Sequence, residues 1–188
     1  MLISQPSENR VAFMVIAFSL LFVLTSAPAI WQGDIPRMVL FSSVVLGISL
    51  AAMSAVDVCS FRLPDALTLP LIGGGLLLAW MMDWAPLWWR AASAIAGFLL
   101  LYAVERAYRQ LRGYNGLGRG DAKLFAASGA WLGAEGLATV LLWACGIALI
   151  GVLLAACFGT RLTRTTRIPF GPFLAFGTWL AWFYGPLS

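Results

Sequence analysis

The chain has 188 residues, of which 61% are hydrophobic and only 11% are charged, and its mean hydropathy is +0.88. Soluble globular domains carry about 25% charged residues, so this composition excludes that class and indicates a polytopic membrane protein. The formal net charge of +4 lies mainly in the connections between apolar runs, which indicates membrane topology and argues against a nucleic-acid partner.

The residue types that are present restrict the possible chemistry. The sequence contains no histidine, which excludes Ser-His triads, Cys-His dyads and most zinc sites and leaves carboxylates as the catalytic groups. Cys59, Cys145 and Cys157 are widely spaced and form no CxxC pair. We interpret them as packing residues and expect no metal and no other cofactor.

Apolar runs of about twenty residues mark the predicted membrane-spanning helices. In chain order they are residues 11–31, 38–56, 67–82, 86–104, a short stretch at 121–131, 136–158, and a last run that ends near Tyr184. The expected fold is an all-α polytopic membrane helical bundle with six to seven transmembrane helices. We expect residues 1–188 to form a single integral membrane domain.

The first run contains a small-residue stretch, Thr25-Ser26-Ala27-Pro28-Ala29, that could pass for a signal-peptide cleavage site. Its leading segment carries Glu8 beside Arg10 rather than a clear positive cluster. We therefore interpret the run as a retained membrane span.

Basic residues are distributed unequally between the two sides of the predicted bundle. Only Arg37 and Arg90 lie on one side, and the other ten lie in alternate connections on the opposite side. The positive-inside rule places the basic side in the cytoplasm, where its residues can contact anionic lipid. These ten are Arg10, Arg62, Arg106, Arg109, Arg112, Arg119, Lys123, Arg161, Arg164 and Arg167.

Two carboxylates, Asp57 and Asp121, lie at the predicted cytoplasmic ends of apolar helices. Ionisable residues at membrane depth are costly and indicate function. Two carboxyl groups that share one proton can activate water, because one deprotonates the water while the other protonates a scissile carbonyl oxygen. Asp121 follows a glycine-rich tract in which Gly118 and Gly120 permit close approach of another backbone. The alternative is a solvated turn with Asp121 as a helix cap.

Three separated segments together resemble one family. They are Ala55-Val56-Asp57 with Arg62-Leu63-Pro64-Asp65-Ala66-Leu67-Thr68-Leu69-Pro70, then Gly116-Leu117-Gly118-Arg119-Gly120-Asp121-Ala122-Lys123-Leu124 through residue 133, and Ile168-Pro169-Phe170-Gly171-Pro172-Phe173-Leu174-Ala175. The chain resembles the peptidase portion of the type IV prepilin leader peptidases, the GxGD-type intramembrane aspartyl proteases. The resemblance implies that Asp57 and Asp121 are the catalytic pair and that Gly118 and Gly120 form the GxGD turn.

Other residues of these segments have alternative interpretations. Lys123 occupies the family's lysine position, and we interpret it as a cytoplasmic anchor and electrostatic neighbour of Asp121. Pro169, Gly171 and Pro172 either start the last helix or shape a substrate groove. We expect Asp65 to cap the third span, and we expect two further acids, Glu105 and Glu135, to be interfacial.

The resemblance also implies a substrate and a location. Family members cleave type IV prepilin or pseudopilin precursors after a glycine, at the cytoplasmic face of the bacterial inner membrane. Full-length members carry an N-terminal segment with paired CxxC motifs and an N-methylating activity. No segment here resembles it, so we expect cleavage without methylation. Two alternatives stay open: a proton or ion carrier that uses Asp57 and Asp121, and a non-catalytic pilus or secretion assembly factor.

Overall fold

The computed structural model describes residues 8–32, 37–60, 63–83, 85–113, 118–157 and 169–185. Within these ranges the chain forms seven α-helices and no strand, which confirms the predicted all-α polytopic bundle. The helices are α1 (Glu8–Gln32), α2 (Arg37–Ser60), α3 (Asp65–Met82), α4 (Leu87–Arg112), α5 (Arg119–Leu132), α6 (Ala134–Cys157) and α7 (Gly171–Tyr184). Arg62, residues 161–167, Gly116 and Leu117 lie outside the described residues.

The chain is a multi-pass membrane protein. Among the described residues, α2, α3, α4 and most of α6 are long and apolar enough to cross a membrane, and α1 contains a shorter apolar stretch, Met14–Ala27. Helices α5 and α7 have 14 residues each, so each is about 21 Å long and shorter than the ~30 Å hydrocarbon core. The total of six to seven crossings and the single-domain organisation stay predictions.

The short helix α5 lies at the centre of the bundle and packs against α3, α4, α6 and α7. Between Asp121 and Trp131 every residue except Lys123 is buried. Small residues bring its backbone against that of α4, because a Cβ on Gly129 would lie 2.5 Å from the carbonyl oxygen of Ser93. Such contacts between small residues are the usual way in which membrane helices pack closely.

Helix α1 is joined to the bundle by a tryptophan of α7. The indole N–H of Trp179 donates a hydrogen bond of 2.9 Å to the carbonyl oxygen of Phe22, and the two rings stack with centroids 5.1 Å apart. Phe22 and Trp179 are both buried. The first apolar run therefore packs against the remainder of the described bundle.

Helix α4 ends later than the sequence predicted. The predicted span ended at Val104, but the helix continues for two turns to Arg112 and ends at Gly113, whose φ is 77°. The reason is that good helix formers fill this stretch and the first residue suited to a left-handed cap is Gly113. Residues 105–112 and 119–120, which lie between the predicted runs 86–104 and 121–131, are therefore helical.

Candidate active site

Asp57 lies in the last turn of α2 and is 5% exposed. Its Oδ2 accepts a hydrogen bond of 3.0 Å from the backbone N–H of Gly171, the first residue of α7. A Cβ on Gly171 would lie 2.6 Å from that oxygen, so only glycine permits this approach.

Asp121 is the third residue of α5 and is also 5% exposed. Its Oδ2 accepts a hydrogen bond of 3.2 Å from the backbone N–H of Gly118, the residue before the helix. Gly120 packs against Leu63, since a Cβ on Gly120 would lie 2.7 Å from the Cβ of Leu63. This contact fixes the start of α5 beside the chain that follows α2, and so brings Asp121 toward Asp57.

The two carboxyl groups interact electrostatically. Burial first, and the charge of Asp57 second, raise the pKa of Asp121 to about 7, while the hydrogen bond from Gly118 lowers it. Near neutral pH the pair can therefore hold one proton between two buried carboxyl groups, which is the state that acid-base hydrolysis requires. The titration belongs to the pair rather than to either residue.

Lys123 is bonded to Asp65. Its Nζ donates a hydrogen bond to Asp65 Oδ1, and the pair joins the first turn of α5 to the start of α3. The prediction that Asp65 caps α3 is wrong, because Pro64 takes the N-cap position and no side chain forms a cap hydrogen bond. Asp65 is instead the first helical residue, where its charge complements the helix dipole.

The Asp65–Lys123 pair is expected to contribute little to stability. Side-chain exposure is 60% for Asp65 and 30% for Lys123, and exposed ion pairs contribute ~0–1 kcal/mol. We expect Asp65→Asn, Lys123→Met and the double variant each to lower the free energy of unfolding by less than ~1 kcal/mol. Unfolding in detergent, compared across the three variants, measures this, and a coupling free energy several times larger would contradict it.

The segment that contains Pro169, Gly171 and Pro172 begins α7. Pro172 lies in the first helical turn, where proline is tolerated, and Gly171 contacts Asp57. This segment therefore both begins α7 and contacts the candidate site. A role for Pro169, Gly171 and Pro172 in binding substrate stays a prediction.

A model of the type IV leader peptidase family matches residues 44–156, which include Asp57 and Asp121. The chain belongs to the type IV leader peptidase family. The resemblance predicted from the three sequence segments is thereby confirmed. Gly171 and its neighbouring prolines lie beyond the part of the chain that the family model matches.

Curated relatives named prepilin leader peptidase/N-methyltransferase are similar to most of this chain. The protein from Xanthomonas campestris pv. campestris is 38% identical over 157 residues, which are 82% of this chain and 51% of that protein. Those from Burkholderia pseudomallei and Aeromonas salmonicida are 44% and 40% identical, over 73% and 72% of this chain and 44% and 46% of theirs. The chain spans about half the length of these relatives. No solved structure matches it significantly.

The bundle buries one acid whose burial the sequence analysis did not predict. Glu105 is only 2% exposed, and its predicted interfacial position stays a prediction. It continues the four-residue spacing of Ser93, Gly97 and Leu101, which are among the buried residues of α4, and this spacing is the signal that could have identified its burial. Glu135, in contrast, is exposed and accepts a hydrogen bond from an indole N–H.

No metal site is evident in the described part of the chain. There, no group of three or more Cys, Asp or Glu side chains is arranged to hold a metal ion. The arrangement that the described residues do provide is a pair of buried carboxyl groups, each held by a backbone N–H.

Proposed function

We propose that this chain is a prepilin or pseudopilin leader peptidase, an aspartyl-type intramembrane endopeptidase. It hydrolyses the peptide bond after a glycine, between the basic leader and the apolar stem of type IV pilin-like precursors. The observation that carries the proposal is the buried, electrostatically coupled pair Asp57 and Asp121. Family membership and the names of the curated relatives support the substrate class.

In the proposed mechanism the pair acts as acid and base on one water molecule. The ionised carboxylate removes a proton from the water, whose oxygen bonds to the scissile carbonyl carbon. The protonated carboxyl group gives its proton to the carbonyl oxygen. When the tetrahedral intermediate collapses, the carboxyl group that took the proton of the water gives it to the amide nitrogen, one hydroxyl of the intermediate returns a proton to the other carboxylate, and the carbon–nitrogen bond breaks. Backbone N–H groups of Gly171 and Gly118 hold the two carboxyl groups in place.

We propose that the substrate binds to the backbone around Asp57 and Asp121. Gly118 and Gly120 lie at the start of α5, and the segment from Pro169 to Pro172 lies at the start of α7. An extended peptide between these two helix starts would pass both carboxyl groups. Lys123 lies in the first turn of α5, where its side chain is bonded to Asp65 at the start of α3.

We place the active site on the cytoplasmic side of the bacterial inner membrane. Exposed basic residues surround the end of α4 and the start of α5, namely Arg106, Arg112 and Arg119. Asp121 lies at this same end, whereas Arg90 lies near the opposite end of α4. The positive-inside rule assigns the more basic end to the cytoplasm. Cleavage without methylation stays a prediction for this chain.

Cleavage of a precursor separates the proposal from its alternatives. Purified protein in liposomes is incubated with a pilin-like precursor, and the products are identified on a gel and by mass spectrometry. We expect two fragments, with the cut after the glycine at the start of the apolar stem. A carrier would instead produce an ion flux that depends on Asp57 and Asp121 and an uncut precursor. A non-catalytic assembly factor would bind the precursor without producing either change.

The cleavage rate is expected to fall as the pH rises above about 7. The pKa of Asp121 is raised to about 7, so at higher pH both carboxyl groups are ionised and neither can protonate the carbonyl oxygen. Initial rates at precursor concentrations well below KM, which report kcat/KM and therefore the free enzyme, are measured at pH values on either side of 7 to test this. Unfolding at each pH controls for loss of folded protein. A rate that rises steadily into the alkaline range would contradict the shared-proton mechanism.

A further inference from the structure

A third buried acid, Glu105 of α4, lies outside the aspartyl pair. Its Oε2 is buried and has no hydrogen-bond partner among the residues that the structure describes. Its Oε1 forms an ion pair with Arg109 of the same helix, with 3.8 Å between Oε1 and Nη1, a distance too long for a hydrogen bond. A buried carboxyl oxygen without a partner destabilises a fold. The ion pair with Arg109 therefore leaves Oε2 unsatisfied, and folding alone does not explain that buried oxygen.

The packing of α4 against α5 shows how far along the helix axis Glu105 lies from Asp121. The two helices are antiparallel: Gly129 of α5 lies against the backbone of Ser93, and Gly97 of α4 lies against the carbonyl oxygen of Phe125. Moving four residues toward the C-terminus of α4 therefore corresponds to moving four residues toward the N-terminus of α5. The next step places Leu101 level with Asp121.

Glu105 is one further step along the same buried face of α4. It therefore lies about 6 Å beyond the level of Asp121, since four residues of α-helix rise about 6 Å. The direction is toward the basic end of the bundle, where α4 ends and α5 begins. In the proposed orientation this is the side from which the leader of a precursor extends.

We propose that Glu105 is a specificity residue that binds a cationic side chain of the substrate on the leader side of the scissile bond. This inference rests on the proposed peptidase function. An ammonium or guanidinium group would donate a hydrogen bond to the unpartnered Oε2. Extended peptide advances ~3.3–3.6 Å per residue, so the cation is expected about two residues before the bond that is cut.

Basic residues surround Glu105, so a cationic side chain of the substrate needs an acid to bind at this end of the bundle. Arg106, Arg112 and Arg119 are exposed at this end of the bundle and would repel a basic peptide. Asp65, another acid beside the start of α5, is already bonded to Lys123. Glu105 is ion-paired with Arg109 through Oε1, but its Oε2 has no hydrogen-bond partner among the described residues, so this oxygen can accept a hydrogen bond from a basic residue of the substrate.

The test compares Glu105→Gln with the wild-type protein on two precursors. One precursor has lysine two residues before the scissile bond, and the other has glutamine there. For the lysine precursor we expect Glu105→Gln to raise KM about tenfold, the effect of a ~1.4 kcal/mol loss in binding, with kcat nearly unchanged. For the glutamine precursor we expect wild type and Glu105→Gln to give the same KM.

Charge reversal provides the matched experiment. A precursor with glutamate at the same position should be cut poorly by the wild type and better by Glu105→Lys. Glu105→Asp, which keeps the charge on a shorter side chain, should retain a smaller preference for the lysine precursor. The comparison of the three precursors on wild-type protein does not depend on whether any variant folds.

Two results would overturn the inference. One is a wild-type protein that cleaves the lysine, glutamine and glutamate precursors with equal KM. The other is an equal loss of activity on all three in Glu105→Gln, which would assign Glu105 a purely structural role. A wild-type protein that cleaves no precursor would contradict the proposed function instead, so the two failures are distinguishable.

Discussion

Asp57→Asn and Asp121→Asn are each expected to abolish precursor cleavage, with a loss in rate of about 10³-fold or more. Removal of a general acid or base typically costs 10²–10⁴-fold, and here each substitution also prevents the pair from sharing a proton. The double variant should be no worse than either single variant, because groups that act as a unit are not additive. Initial rates of fragment formation, normalised to protein in the membrane, measure these effects.

The matched control is Asp65→Asn, the same chemical change in an acid that is bonded to Lys123. It should retain most of the wild-type rate. Asp83→Asn, at the opposite end of α3, should behave in the same way. Wild-type cleavage by either Asp57→Asn or Asp121→Asn would remove that residue from the catalytic pair.

Gly171→Ala is expected to lower kcat by about 10²-fold. The new Cβ would lie 2.6 Å from Asp57 Oδ2 and 3.0 Å from its Cγ, so the carboxyl group must move and lose the N–H of Gly171. Misplacement of a catalytic group by ~1 Å can cost about 10²-fold in rate. Steady-state kinetics with one precursor, together with unfolding of the variant in detergent, separate a displaced carboxyl group from a damaged fold.

Gly146→Ala is the control for Gly171→Ala. Gly146 also lies in a helix, but a Cβ there would meet no atom within 4 Å. Alanine favours helix by ~1 kcal/mol relative to glycine, so this variant should fold and cleave at the wild-type rate. If both alanine variants cleave equally well, the contact between Gly171 and Asp57 plays no part in catalysis.

Most of the helical architecture could be predicted from the pattern of apolar runs. The third span was predicted at residues 67–82, and α3 is Asp65–Met82, because a proline marks its start. The end of α4 was missed because the charges of Glu105 and Arg106 were interpreted as the end of the helix. Charges mark where the chain leaves hydrocarbon, whereas a helix continues until a residue such as Gly113 ends it.

The candidate site was only partly predictable. Asp57 and Asp121 are conspicuous because acids are rare in apolar sequence. The bond between Gly171 and Asp57 joins residues 114 positions apart and depends on how α7 packs against α2, which local sequence does not specify. Glu105 was missed for a different reason. Its charge was given more weight than the four-residue spacing that places it on the buried face of α4.

Proximity of Asp57 and Asp121 in the membrane is the claim on which the proposed peptidase depends. Replacing both with cysteine, in a chain whose Cys59, Cys145 and Cys157 are changed to alanine, allows a short bifunctional thiol reagent to measure it. We predict one intramolecular bridge, detected by the intact mass and the loss of both free thiols. A control chain with cysteine at Asp83 and Asp121 should not bridge. Two separately modified thiols at Asp57 and Asp121, with no bridge, would contradict the account.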